Sequence, residues 1–135
     1  MTLYILDTDT VSFALRGTPA VVEKLKAHRR ADLCLSSITV AELRFGASKR
    51  DSKKIHRAID AFLTGVDVLP FDIAAADRFG ALAATLSEAG EPIGQMDTLI
   101  AAHALALGAV LVTNNQRHFS KVRGLKLENW ADIRK

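Results

Sequence analysis

Three carboxylate residues, Asp7, Glu42 and Asp97, have the chemistry needed to hold a divalent cation. Asp7 ends an apolar run at residues 3–6, so its carboxylate lies near a core edge and needs a cap, an ion pair or a metal. Carboxylates without Cys or His companions suit Mg²⁺ or Mn²⁺, hard cations that take oxygen ligands. A cation held in this way activates water and neutralises phosphate charge, which favours in-line hydrolysis of a phosphate ester.

Each of these carboxylates also has an ordinary structural explanation. Asp7 and Asp97 both precede helical patterns, where an Asp side chain commonly caps the first turn. The segment from Thr39 to Glu42 matches a capping box, in which the Glu bonds back to the helix start. The same helix can instead begin at Ser37, which would leave Glu42 beyond the first turn, among apolar neighbours and in need of a partner. The residues alone leave both interpretations open.

The elements that must position these residues alternate between strand and helix. Apolar runs predict strands, and helical periodicity with caps and glycine stops predicts the segments between them. The predicted strands are residues 3–6, 33–36, 66–69 and 109–112, with an edge strand at 125–127. The predicted helices are residues 11–16, 20–28, 38–48, 52–64, 72–89 and 97–107. This order predicts an α/β fold with a mostly parallel sheet, because parallel neighbours need helical crossovers.

Length and charge limit the classes of function. With 135 residues, we expect a single domain over residues 1–135. A net charge of +3 permits a polyanionic partner without requiring one. The longest apolar stretch falls short of the about 20 residues that span a bilayer, and no signal peptide is apparent at the start, so we expect a cytoplasmic protein. Cys34, the only cysteine in the sequence, is expected to be a buried thiol.

Four segments, taken together in their order and spacing, resemble one known family. They are LDTD at residues 6–9, AELRFG at 41–46, PIGQMDTLIA at 92–101 and VTNNQRHF at 112–119. The set is similar to the VapC toxins, ribonucleases of the PIN-domain family. The similarity covers nearly the whole chain, including the tail around Trp130.

The resemblance implies a three-layer α/β/α domain in which Asp7, Glu42 and Asp97 gather Mg²⁺ or Mn²⁺. It also implies endonucleolytic cleavage of RNA, often tRNA, a small VapB-type antitoxin that obstructs the acidic site, and a homodimer. The fourth family position is frequently Asp, whereas this chain has Asn114 and Asn115 there. Asn115 can coordinate a metal through its carbonyl oxygen or orient water, but it adds no charge, so a single cation is expected.

Two other functions stay open at this point. Residues 4–11 and 112–115 also resemble the first two motifs of haloacid-dehalogenase-type phosphatases. Those enzymes need a further strand-helix-strand unit downstream, for which the 20 residues after Asn115 are too few, and Glu42 and Asp97 would then have no role. The other alternative is a non-catalytic module that binds RNA or a partner through basic loops. It predicts binding that weakens with salt and needs no metal.

Overall fold

The computed structural model describes residues 1–131, and the last four residues of the predicted domain lie outside this range. Its strands are β1 (Tyr4–Leu6), β2 (Leu33–Ser36), β3 (Asp67–Leu69), β4 (Val110–Val112) and β5 (Lys126–Glu128). Its helices are α1 (Thr8–Leu15), α2 (Pro19–Lys26), α3 (Ser37–Lys49), α4 (Lys53–Leu63), α5 (Ile73–Glu88), α6 (Gln95–Leu107) and α7 (Gln116–Phe119), with a 3₁₀ turn at Arg30–Asp32. The predicted alternation of strand and helix is confirmed.

The five strands form one sheet in the order β3-β2-β1-β4-β5, and every neighbouring pair is parallel. The prediction of a mostly parallel sheet is therefore confirmed, and all four strand pairs of this sheet are parallel. β1 lies at the centre, with Leu6 opposite Val112 of β4. The residues that follow these two strands meet at the same edge of the sheet, because the carboxyl ends of parallel strands point the same way.

Helices cover both faces of the sheet and give the three-layer arrangement. One core cluster joins β1 and β4 to α5, α6 and α7 through side chains such as Ile5, Leu111 and Phe119. The second cluster joins the other face to α1, α2, α3 and α4 and includes Leu35 and Ile59. Cys34 is buried in the first cluster, as predicted. Burial raises the pKa of this thiol to about 12.

Serine and aspartate caps set several helix starts. Ser36, Ser52 and Asp72 each accept a backbone N–H of the helix that follows, at α3, α4 and α5 respectively. Two predicted starts were wrong. α1 begins at Thr8 and not at residue 11, and α6 begins at Gln95 and not at residue 97. Within residues 1–131, no helix is long and apolar enough to cross a membrane.

Candidate active site

Asp7 lies directly after β1, at the carboxyl edge of the sheet, and is 5% exposed. Its backbone N–H donates to the carbonyl of Val112 at 2.9 Å. Its Oδ1 accepts the N–H of Thr8 and its Oδ2 accepts the hydroxyl of Thr113, both at 2.8 Å. The side chain caps α1, as one interpretation of the sequence had it, and both carboxylate oxygens are held in fixed positions.

This fixed carboxylate is electrostatically costly to the protein. Burial, followed by the neighbouring Asp9 carboxylate, raises the pKa of Asp7 to about 7, while the bonds from Thr113 and Thr8 act in the opposite direction. Asp97 adds a smaller repulsion. The charges that surround Asp7 favour a proton or a cation at this position.

Asp9 was not predicted as a site residue, although the structure places it in this cluster. It lies in the first turn of α1, half-buried, and its Oδ2 accepts the N–H of Asn114 at 3.1 Å. Burial raises the pKa of Asp9, and Asp97 contributes in the same direction. The available signal was its spacing, two residues after Asp7. An acidic residue in the first turn of a helix is already explained by the helix dipole, so its type and position alone do not indicate a site residue.

Glu42 lies within α3, which begins at Ser37 with Ser36 as its cap. Because the helix begins at Ser37, Thr39 is not its cap and the capping box with Glu42 does not form. Glu42 lies beyond the first turn, as the second interpretation of the sequence predicted. The side chain is half-buried, and its Oε1 accepts the hydroxyl of Thr8 at 2.6 Å. One residue, Thr8, therefore bonds the Asp7 carboxylate through its N–H and the Glu42 carboxylate through its hydroxyl.

Asp97 is the third residue of α6 and not its cap. Its side chain is 26% exposed, and its Oδ2 lies 3.2 Å from Nδ1 of His118. His118 is on α7, a helix that the sequence analysis did not predict. Asp97 reaches the same edge of the sheet as Asp7 because α6 precedes the parallel strand β4 and runs in the opposite direction.

Asn115 follows β4 and immediately precedes α7. Its side chain makes no capping hydrogen bond, and its backbone N–H donates to the Thr113 hydroxyl at 3.0 Å. The Asn114 side chain, by contrast, accepts the amide N–H of Asn129 at 3.0 Å. Of the two asparagines considered after this strand, Asn115 is the half-buried one and Asn114 is exposed.

The carboxylates do not form a ready-made cage. Within residues 1–131, no group of three or more His, Cys, Asp or Glu side chains is placed to hold a metal ion together. Mg²⁺ does not need such a cage, because it keeps several waters and is commonly bound by one or two carboxylates. The all-oxygen donors and the repulsion between Asp7, Asp9 and Asp97 fit a hard divalent cation.

Comparison with known proteins identifies the family. The PIN domain family matches residues 4–125 of the chain. The chain is 38% identical over 132 residues to a protein of Shigella flexneri described as "tRNA(fMet)-specific endonuclease VapC", covering 97% of this chain and 100% of that protein. It is 39% identical to "Ribonuclease VapC2" of Haemophilus influenzae, with the same coverage of both.

Solved structures agree with this assignment. A DNA-bound VapBC of Salmonella typhimurium superposes with a TM-score of 0.87 at 36% identity, covering 96% of this chain and 99% of that chain. VapBC2 of Rickettsia felis, bound to a DNA fragment from its promoter, gives a TM-score of 0.86 at 34% identity, with the same coverage. The match also decides against the phosphatase alternative, since fold and sequence agree on one family. PIN-domain ribonucleases generally depend on a divalent metal. This chain belongs to the VapC ribonucleases of the PIN-domain family.

Proposed function

We propose that this chain is the toxin of a type II toxin–antitoxin pair, an endoribonuclease that uses Mg²⁺ or Mn²⁺ to cut RNA, with tRNA as the substrate class. One observation carries the proposal. The buried Asp7 carboxylate stands at the carboxyl edge of the sheet, beside Asp9 and Asp97, with its pKa raised to about 7. Ligands of open parallel sheets bind at this edge.

In this proposal Asp7, Glu42 and Asp97 would gather one cation, one or two of them by direct contact and the rest through its bound waters. Asn115 would orient water through its side-chain amide. A cation held there would neutralise charge at the phosphate and lower the pKa of a water molecule, which is the chemistry needed for water to displace the leaving nucleotide from phosphorus. Thr8 and Thr113 fix the rotamers of the carboxylates that they bond. These two hydroxyls therefore act through the carboxylates, and this preorganisation lowers the cost of assembling the site.

The partners in the proposal rest on the relatives. Relatives described as tRNA(fMet)-specific support tRNA as the substrate class, and the VapBC complexes support a VapB-type antitoxin. A homodimer is supported by the resemblance and by the exposed apolar side chains of Ile73 and Met96, at the starts of α5 and α6. We also propose one domain over residues 1–135 and a cytoplasmic location, where tRNA is found.

The test is cleavage of total RNA by the purified, antitoxin-free chain in Mg²⁺ or Mn²⁺. Discrete fragments that disappear with EDTA and in Asp7→Asn and Asp97→Asn would support the proposal, and end-mapping would locate the cut. Asp77→Asn is the matched control, because it removes an exposed carboxylate on α5. RNA that stays intact with the folded chain and a tRNA pool would refute cleavage. Salt-sensitive RNA binding without metal would then favour the binding module.

A further inference from the structure

A groove leads away from the carboxylate cluster, between α1, α3 and α4. Its volume is about 570 Å³, within the range of about 300–1,000 Å³ that is usual for ligand sites. Thr8 and Glu42 line one end, so the groove is continuous with the candidate active site. Leu43 and Ile55 are among the apolar residues that line it.

Three cations line this groove: Arg16, Arg50 and Lys54. None of them forms an ion pair with another of the described residues 1–131. The neighbouring cation on α3, Arg44, differs in this respect, because it is paired with Asp60. The charges along the groove are therefore available to an anionic ligand.

Helix electrostatics explains two of these cations and not the third. Arg16 and Arg50 follow the C-terminal ends of α1 and α3, where the helix dipole favours positive charge. Lys54 lies in the first turn of α4, where the dipole disfavours it, and this turn holds no acidic residue. A lysine at this position lowers helix stability, and an anion bound in the groove would compensate for that cost.

The basic cluster around Arg29 and Arg30 does not share these features. Arg29 is paired with Asp32, and Arg30 is paired with Asp67. This cluster precedes β2, so it lies at the amino edge of the sheet, opposite the carboxylates. The structure thus distinguishes between basic segments that the sequence could not rank.

We propose that the groove binds the RNA backbone on one side of the scissile phosphate, with Arg16, Arg50 and Lys54 contacting successive phosphates. This inference rests on the proposed function, and it assigns the substrate path within that function. The apolar floor contacts sugar or base surface, and the cations position the strand without reading its sequence. RNA is favoured over a protein segment as the occupant because the three cations face an otherwise uncharged groove, apart from Glu42 at its catalytic end.

The experiment compares two triple variants with the same loss of charge. The test variant is Arg16→Gln/Arg50→Gln/Lys54→Gln, and the control is Lys24→Gln/Lys26→Gln/Arg78→Gln, which changes exposed cations outside the groove. Binding of a labelled single-stranded RNA is measured by fluorescence anisotropy in Mg²⁺ across a salt series. Asp97→Asn is present in both variants and in the reference protein with the unsubstituted groove, to prevent cleavage. KM and kcat are measured separately without the Asp97 substitution.

Three lost phosphate contacts should reduce the slope of log affinity against log salt by about 2, at about 0.7 per contact with a single strand. Raising salt from about 50 to about 200 mM should then weaken binding to the unsubstituted groove about 20-fold more than binding to the test variant. The effect should fall on KM more than on kcat, and the control should follow the unsubstituted protein.

Equal salt slopes in the test variant and the control would overturn the groove proposal and would favour a protein partner as its occupant. This outcome leaves the proposed function in place as long as the unsubstituted chain cleaves RNA. Failure of the unsubstituted chain to cleave, together with a reduced slope in the test variant, would instead overturn the proposed function and support the groove as an RNA-binding surface.

Discussion

Replacing Asp7 by asparagine should make the metal-free protein more stable while it abolishes cleavage. The asparagine side chain can still accept the N–H of Thr8, and its amide can donate to the Thr113 hydroxyl, so the start of α1 stays intact. What disappears is a negative charge that is 5% exposed and lies beside the Asp9 carboxylate. The site therefore retains Asp7 at the expense of folding stability.

The magnitude follows from the pKa of Asp7, which rises from an ordinary 3.8 to about 7 in the folded protein. A raised pKa means that the folded state holds the proton more tightly than the unfolded state. Its contribution to stability is complete below pH 3.8 and is lost as pH rises through about 7. At about 1.4 kcal/mol per pH unit, the full loss is about 4 kcal/mol, and about 2 kcal/mol of it falls between pH 5.5 and 8.

Urea unfolding in EDTA at these two pH values measures the effect. The Asp7→Asn protein should lose about 2 kcal/mol less than the unsubstituted protein between them, and should be the more stable of the two at the higher pH. Mg²⁺ or Mn²⁺ should stabilise the unsubstituted protein and the Asp77→Asn control, but not Asp7→Asn. Asp77→Asn is the control for loss of an exposed carboxylate. If Asp7→Asn is no more stable than the unsubstituted protein at the higher pH without metal, the buried Asp7 charge does not lower the free energy of unfolding.

The remaining predictions concern Thr8 and His118, which contact the carboxylates, and the buried thiol of Cys34 in the core. Thr8→Val removes the hydroxyl that holds Glu42 and should lower the free energy of unfolding by about 1 kcal/mol and cleavage by about tenfold; unchanged cleavage would argue against this positioning role. His118→Ala should raise the metal concentration for half-maximal activity by about tenfold, whereas His118→Asn should keep a donor to Asp97 and most of the affinity. Equal effects of both substitutions would contradict the His118–Asp97 contact. Cys34 should react with iodoacetamide at pH 8 only when the protein unfolds, because burial raises its pKa to about 12. Rapid labelling of the folded chain would show that this part of the core opens.

The fold could be predicted largely from local signals. Apolar runs, helix caps and glycine stops such as Gly108 mark the elements, and the alternation of strand and helix then requires parallel pairing. The strand order was not predictable from these signals. It places β1 between β2 and β4, and β4 lies about 100 residues away along the chain. The four-residue helix α7 is too short to give a periodic pattern, so it was missed.

For the candidate site, too, some features could be predicted from the sequence and others could not. Asp7, Glu42 and Asp97 could be chosen from residue type and family spacing, and the structure places all three at or near one edge of the sheet. The contacts that hold them could not be chosen in this way. Asp9 bonds to Asn114 and His118 bonds to Asp97 through pairings between distant segments. A sequence shows such pairings only after the strand order is known.

The central position of β1 also affects when the enzyme can exist during its own synthesis. Asp7 is held by Thr113, which lies 106 positions later, and its backbone bonds Val112 at the end of β4. A nascent chain that has not yet released β4 from the ribosome has the first carboxylate but neither of these supports. Long-range pairing of this kind forms late, since the intervening loop must close first. Translation of this ribonuclease therefore proceeds with its active site unassembled until most of the message has been read.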